Sequence, residues 1–182
     1  MQQTITINGN VFQKYIAEKT IKQVVKSLSL RFDDDYRGDD ICFIAILNGA
    51  FVFATDIVRQ VKIESEIHFV RISSYNGMSS QKITQSISLS IDCKDRNIVI
   101  LEDIIETGQT IDCLMNQIRQ QKPKSLEVCT LLYKPQLFKA DYKVKYVGME
   151  IEDEFVVGYG MDYDQRGRCY KDIYQLNKVK NT

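Results

Sequence analysis

The sequence carries no excess of charge of either sign, because 24 Lys and Arg residues balance 24 Asp and Glu residues among its 182 residues. A protein without net charge has no long-range field that attracts nucleic acid or a membrane surface. No apolar run approaches the roughly 20 residues that a membrane-spanning helix needs. The opening MQQTITINGN lacks the basic start and apolar middle of a secretion signal. We therefore expect a cytoplasmic protein that binds neither nucleic acid nor membranes.

Paired cysteines and flexible linkers are also missing. The five cysteines are odd in number and none forms a Cys-x-x-Cys pair, so we expect neither a disulfide framework nor a zinc site. The sequence has two prolines, no repeats, and no Gly/Ser-rich or Pro-rich linker. Because 44% of the residues are hydrophobic, the chain can bury a core, and we expect one domain over residues 1–182.

Short apolar runs alternate with helical patterns along the chain. Near-continuous hydrophobicity in such runs predicts strands that are buried on both faces, and these runs span residues 41–47, 67–72, 97–102 and 125–133. Apolar spacing predicts helices over residues 12–28 and 50–61, and a third along the stripe of Ile111, Leu114, Met115 and Ile118. The order of elements predicts an α/β fold, a mainly parallel twisted sheet flanked by helices.

Two segments follow predicted strands at the edge where ligands bind in such sheets. They are LNGA (47–50) and EDIIETGQT (102–110), and ligands of open parallel sheets lie beyond the carboxyl ends of the strands. Both segments offer glycine-assisted backbone amides at a helix start, which bind anions without a cationic side chain.

The second of these segments combines chemically opposed groups. Thr107, Gly108 and Thr110 suit a phosphate, yet Glu102 and Asp103 stand beside them and would repel one. Taken alone, the two carboxylates fit a solvated strand end. A ribose 5-phosphate resolves the conflict, because its hydroxyls can face the carboxylates while its phosphate faces the amides. A Walker-type loop is excluded, since G-x-x-x-x-G-K-[ST] is not present.

The stretch VILEDIIETGQT (99–110) resembles the phosphoribosyl diphosphate-binding motif of the type I phosphoribosyltransferases. The segments LNGAFVFATDIVR, RISSYNGM, PKSLEVCTLLYKP and DEFVVGYGMDY resemble the hypoxanthine-guanine branch, in the same order, over residues 37–175. The resemblance implies the type I fold with a small hood, formed by the N-terminal segment and the region after about residue 150. It also implies a magnesium-dependent enzyme that forms homodimers or homotetramers. The expected reaction joins hypoxanthine, and guanine, to phosphoribosyl diphosphate, and gives IMP or GMP and pyrophosphate.

The resemblance assigns roles around the sugar phosphate. Glu102 and Asp103 would meet the ribose hydroxyls and lie near magnesium. Residues of the phosphate loop would wrap the 5-phosphate: Thr107, Gly108, Gln109 and Thr110. Glu106 would exchange a proton with purine N7, although relatives usually have an aspartate there. Pyrophosphate would lie against Arg168 and the loop of Leu47, Asn48 and Gly49, in which the Leu47–Asn48 peptide is expected to be cis.

The resemblance also assigns a purine site. Lys134 would contact the oxygen at purine C6, Phe155 would stack on the base, and Val156 would offer its backbone to the purine edge. Asp162, beside the base, would contact magnesium. A mobile loop that begins at Ser74 and Tyr75 would close over the diphosphate.

Two other functions fit the same residues. A regulator could sense phosphoribosyl diphosphate without catalysis, and an enzyme of the same class could use xanthine or a pyrimidine. The order of preference between hypoxanthine and guanine is also open. We expect the single histidine, His68, to be a core or interface residue without a catalytic role.

Overall fold

The part of the protein that the structure describes contains two sheets and three helices. The structure is a computed structural model that describes residues 3–75, 84–87 and 91–177. The strands in these residues are β1 (Thr4–Ile7), β2 (Asn10–Ile16), β3 (Ile41–Leu47), β4 (Ser65–Tyr75), β5 (Thr84–Ile87), β6 (Asn97–Ile105), β7 (Ser125–Tyr133), β8 (Tyr146–Glu150), β9 (Val156–Val157) and β10 (Ile173–Leu176). The helices are α1 (Glu18–Asp35), α2 (Phe51–Val58) and α3 (Gln109–Gln120).

The larger sheet has the strand order β5-β4-β3-β6-β7-β8. Five of these strands are parallel, and β5 pairs antiparallel with β4 at one edge. Side chains of β3 alternate between two cores: Phe43 packs with α1 and α2, whereas Ile44 packs with α3. Burial on both faces explains the continuous apolar run of this strand, and it confirms the predicted parallel sheet flanked by helices.

The first predicted helix begins later than its apolar spacing indicates. Residues 12–16 belong to β2, which pairs with β1 and β10, and α1 starts at Glu18. Phe12 and Ile16 are four residues apart, a spacing that suits one helix face and also one strand face. Both side chains are buried in the strand conformation. The apolar spacing fits a helix and a strand equally well, and pairing with β1 and β10 makes this segment a strand.

The smaller sheet brings the two ends of the described chain together. Its order is β1-β2-β10-β9, and all its pairs are antiparallel. Ile5, Phe12, Val157 and Tyr174 form its core. The strands come from the segments assigned to a hood, and that assignment stays a prediction. Among the described residues, no helix combines the length and apolarity that a membrane crossing requires.

Candidate active site

Two adjoining cavities open where β6 ends and α3 begins. The first has a volume of about 180 Å³, and Glu102, Thr107, Gly108 and Thr110 are among its lining residues. The second has a volume of about 200 Å³, and Asp103, Lys134, Phe155, Val156 and Asp162 are among its lining residues. Ile104 and Glu106 line both cavities. Residues predicted for the phosphate and for the base thus line neighbouring spaces, and Glu106 lies at their boundary.

Gly108 fixes the backbone of the predicted phosphate loop. This residue has a φ of +80° and caps the N-terminus of α3. An added Cβ would lie 2.5 Å from Phe138 Cε2 and 2.9 Å from the Tyr142 hydroxyl oxygen, and that hydroxyl donates to the Gly108 carbonyl oxygen at 3.1 Å. Only glycine suits both the backbone and the space. The first amides of α3, which lack partners within the helix, are therefore fixed beside the first cavity.

Glu102 and Asp103 are carboxylates in a poorly solvated position. Asp103 is 6% exposed, and Glu102 Oε2 is buried without a hydrogen-bond partner. Burial raises the pKa of Glu102 well above its ordinary value, and the adjacent Asp103 raises it further. Burial also raises the pKa of Asp103, against the opposing effect of a hydrogen bond from Glu102 and of the backbone amides of Asp103 and Ile104. A divalent cation would remove the cost of holding both charges.

This carboxylate pair fits a magnesium ion. Magnesium takes oxygen ligands and is commonly held through one or two carboxylates together with substrate phosphates. The unpartnered Oε2 of Glu102 is an available oxygen of this type. Asp162, also assigned to magnesium, is already engaged: its Oδ1 pairs with Arg168 Nη2 at 2.7 Å, and its Oδ2 accepts from the Gln165 amide at 2.8 Å.

Lys134 connects the base cavity to Glu106. Its side chain is only 4% exposed, and its ammonium contacts Glu106 Oε1 and lies 3.3 Å from Asp153 Oδ1. The backbone amide of Lys134 donates to the Ile105 carbonyl oxygen at 2.9 Å, which fixes this residue beside the end of β6. A buried ammonium needs such partners, so the two carboxylates determine where it lies.

Phe155 presents an aromatic surface to the same cavity. It is 45% exposed, and its ring packs between those of Phe12 and Tyr163, with centroid distances of 6.3 Å and 5.7 Å. A large apolar ring that stays half open to solvent is suited to stacking with a planar ligand.

The predicted pyrophosphate loop packs against the carboxylates. The Leu47–Asn48 peptide is cis, as the resemblance predicts. A Cβ on Gly49 would overlap the Asp103 carboxylate, and a Cβ on Gly160 would overlap the Gly49 carbonyl oxygen. Arg168 Nη1 donates to the Gly160 carbonyl oxygen at 2.8 Å. The loop, Asp103 and Arg168 thus meet in one contiguous arrangement.

Some predicted residues lie outside this arrangement, and two residues that belong to it were not predicted from the sequence. The side chains of Ser74 and Tyr75 and most of the predicted mobile loop fall outside the described residues. Gln109 is exposed at the start of α3, and its amide lies 3.5 Å from Thr107 Oγ1. Asp153 and Arg71 were not singled out, although Arg71 Nη2 donates to Asn48 Oδ1 at 3.0 Å. Only tertiary contact distinguishes these two from other surface charges.

Comparison with known proteins places this arrangement in a family. The phosphoribosyl transferase domain matches residues 13–164. Hypoxanthine-guanine phosphoribosyltransferase of Staphylococcus aureus (strain Mu50) is 38% identical over 178 residues, which cover 96% of this chain and 97% of that protein. The Mycobacterium tuberculosis enzyme of the same name is 34% identical over 179 residues, 94% of this chain and 87% of that one. A crystal structure of hypoxanthine-guanine phosphoribosyltransferase from Bacillus anthracis superimposes with a TM-score of 0.83 at 36% identity, over 90% of this chain and 97% of that chain.

Proposed function

The chain belongs to the phosphoribosyl transferase domain family, and from that premise we propose that it joins hypoxanthine or guanine to 5-phosphoribosyl 1-diphosphate. The products are IMP or GMP and pyrophosphate. The observation that carries this proposal is the pair of adjoining cavities that share Glu106. One offers hydroxyls and helix amides for a phosphate, the other offers an aromatic ring and a lysine for a base, and a ribose would join them.

The contact between Lys134 and Glu106 supports recognition of a 6-oxopurine. Atoms O6 and N7 lie side by side on one edge of such a base. An ammonium and a carboxylate that touch each other can meet these two atoms together, with Lys134 donating to O6 and Glu106 accepting from N7–H. A 6-aminopurine presents a donor at this position. It would face the donor Lys134, so the site should reject adenine.

The carboxylates and the loops would hold the sugar and its diphosphate. Glu102 and Asp103 accept from the ribose hydroxyls, and the phosphate loop from Thr107 to Thr110 surrounds the 5-phosphate. Leu47, Asn48, Gly49 and Arg168 lie against pyrophosphate, where the planar guanidinium suits phosphate oxygens. Magnesium bound by Glu102 and Asp103, with Asp162 near, would neutralise negative charge on the diphosphate.

The reaction exchanges one bond at C1 of the ribose for another. The bond from C1 to the pyrophosphate oxygen breaks, and pyrophosphate leaves with the electron pair. The purine N9 lone pair forms the new bond to C1, through a transition state that resembles an oxocarbenium ion. The N7 proton passes to Glu106, whose carboxylate acts as the general base. Arg168 would stabilise the negative charge that develops on pyrophosphate, and Glu106 would stabilise the positive charge that develops on the purine. Electrostatic stabilisation of this kind is usually the largest contribution to catalysis.

Other features of the proposal follow from the family. We propose that the enzyme depends on magnesium, works in the cytoplasm, and assembles as a homodimer or homotetramer. The N-terminal strands and the region after about residue 150 would form the hood over the base.

Nucleotide formation tests the proposed function. The purified protein is incubated with phosphoribosyl diphosphate, magnesium and one base at a time, and the products are separated by chromatography. We expect IMP from hypoxanthine and GMP from guanine, with far less product from xanthine, uracil or adenine. Binding of the diphosphate without any nucleotide product would favour the sensor, and a preference for xanthine or uracil would reassign the base.

A further inference from the structure

A cluster of side chains that carry metal-ligating atoms lies at the other end of the larger sheet. Cys42 on β3 is the register partner of Glu66 on the parallel strand β4. His68 follows two residues after Glu66, so its side chain lies on the same face of the sheet. Cys42 precedes Leu47 by five residues of extended chain, which separates this cluster from the pyrophosphate loop by roughly 16 Å.

The three side chains converge. One donor atom from each, the Cys42 sulfur, a Glu66 carboxylate oxygen and a His68 ring nitrogen, lies within 4.8 Å of the other two. Ligands at about 2.0–2.3 Å from a tetrahedral zinc ion are roughly 3.3–3.8 Å apart. The pairing of β3 with β4 already sets the backbone positions of the three residues. Side-chain rotations that shorten the distances between the donor atoms by about an ångström would close the site around an ion.

The donor set selects the kind of ion. We propose that Cys42, Glu66 and His68 bind a divalent cation of the zinc type, with water completing a tetrahedral site. Sulfur and imidazole ligands suit zinc and cobalt, whereas magnesium prefers oxygen ligands alone. This cluster therefore differs in chemistry as well as in place from the carboxylates of the active site.

The surroundings supply an entry path and a supporting contact. Cys42 is buried, whereas the side chains of Glu66 and His68 are 59% and 37% exposed, so an ion would reach the thiol from the solvent side. Arg96 Nη2 contacts Glu66 Oε2 at 2.9 Å and orients this ligand. The positive charge of Arg96 also disfavours a second cation beside Glu66. Metal binding would convert the Cys42 thiol to a thiolate, and this negative charge would offset that of Arg96.

The present contacts show why an ion would be accepted without disrupting the core. His68 Nε2 already lies 3.2 Å from Glu66 Oε2, so an ion would replace one contact of this pair. Zinc binds cysteine as the thiolate, so metal binding at Cys42 would release a proton. His68 is partly exposed, so it is not a core histidine, and the expectation that it lies at an interface stays a prediction. This proposal departs from the expectation that the chain has no zinc site, which rested on the lack of a Cys-x-x-Cys pair. Sequence spacing could not reveal the site, because its ligands come from two strands.

Cobalt spectroscopy tests this inference on the intact protein. We expect a thiolate-to-cobalt charge-transfer band that saturates when one Co²⁺ per chain occupies this site, and loss of the band when Zn²⁺ is added. Cys42→Ser and His68→Gln should each weaken binding by at least tenfold. Cys113→Ser and Cys169→Ser, which remove exposed thiols, should leave the band unchanged, and so should Glu102→Gln in the active site.

Thermal unfolding gives a second readout that does not depend on activity. Equimolar Zn²⁺ should raise the melting temperature of the natural protein by several degrees and leave His68→Gln unchanged. If Cys42→Ser fails to fold, the His68 variant still decides the matter. A band that persists in His68→Gln, a band that disappears in Cys113→Ser or Cys169→Ser, or the absence of any band in the natural protein would overturn the proposal.

Discussion

The ammonium of Lys134 contacts the carboxylate of Glu106 at the boundary of the two active-site cavities. Lys134 follows β7, whereas Glu106 follows β6, so neighbouring parallel strands deliver opposite charges to the same point. A base bound beside Phe155 would meet both charges along one edge. Under the proposed function, the pair would link recognition of the base to transfer of its proton.

Replacement of Glu106 by glutamine should slow turnover much more than it weakens diphosphate binding. The amide cannot take the N7 proton, and loss of a general base typically costs about 100-fold to 10,000-fold in rate. Because Glu106 is exposed, folding should be unaffected. Steady-state kcat and calorimetric binding of phosphoribosyl diphosphate give the two quantities, and an equal loss in both would make Glu106 a positioning residue.

Glu106→Asp is the matched control for this variant. It keeps a carboxylate and removes one methylene, so the proton acceptor remains while the contact with Lys134 is lengthened. We expect activity to stay much closer to that of the natural protein than the glutamine variant does. If the aspartate variant were as slow as the glutamine variant, distance rather than charge would control this step.

Lys134→Gln should reduce discrimination between 6-oxo and 6-amino bases. The neutral amide can accept as well as donate, so it no longer opposes the amino group of adenine. We expect kcat/KM for hypoxanthine to fall by about 100-fold or more, since Glu106 and Asp153 lose their shared cation. The measured quantity is the ratio of kcat/KM for hypoxanthine to kcat/KM for adenine, and an unchanged ratio would place recognition of C6 elsewhere.

Asp153→Asn should act through Lys134. The carboxylate lies 3.3 Å from the Lys134 ammonium and is largely exposed, so its removal takes away one of the two carboxylates that hold this ammonium without emptying the core. We expect KM for hypoxanthine to rise by about two- to tenfold, as the loss of a partly solvated ion pair implies, with kcat little changed. Glu152→Gln, which removes an exposed neighbouring charge, is the control and should leave KM unaltered.

Continuous burial made the larger sheet predictable from the sequence. The apolar runs at 41–47 and 125–133 coincide with β3 and β7, because strands covered on both faces tolerate few polar residues. The segment from Glu102 to Thr110 was predictable for a related reason, since contiguous residues at a strand–helix junction stay together in any βαβ fold. Family resemblance added Lys134, Phe155 and Asp162, which no local pattern distinguishes.

The remaining features depend on contacts between distant segments. The contact of Asp153 with Lys134 and that of Arg71 with Asn48 join separate elements. The cluster of Cys42, Glu66 and His68 requires the register of β3 against β4. Residues 12–16 form a strand because β1 and β10 pair with them. The apolar periodicity of a single segment does not show which other segments pair with it.

Gly49→Ala should impair diphosphate binding through Asp103. The added methyl would overlap the Asp103 carboxylate, which the backbone amides of Asp103 and Ile104 hold in place. Overpacking of this kind typically costs about 1–3 kcal/mol, so we expect a lower melting temperature and at least tenfold weaker binding of the diphosphate. Gly38→Ala is the control: its φ is +85°, but nothing lies within 4 Å of its Cβ. It should lose some stability and keep its affinity for the diphosphate.

Glu102→Gln should stabilise the ligand-free protein at neutral pH while it removes activity. In the folded state burial raises the pKa of Glu102, so from its ordinary value of about 4.3 upward the folded protein binds more protons than the unfolded protein. The free energy of unfolding of the natural protein therefore falls as pH rises from the ordinary pKa of Glu102 to its raised pKa in the folded state. Glutamine does not titrate and escapes this loss.

The comparison with pH makes the prediction specific. The melting temperature of Glu102→Gln should exceed that of the natural protein by a few degrees at pH 7, and the difference should shrink toward zero near pH 4, where both forms of residue 102 are neutral. Glu64→Gln, which removes an exposed carboxylate, controls for the change in net charge and should show no such trend. A difference that stays constant between pH 4 and pH 7 would mean that packing rather than the buried charge sets the stability at this position.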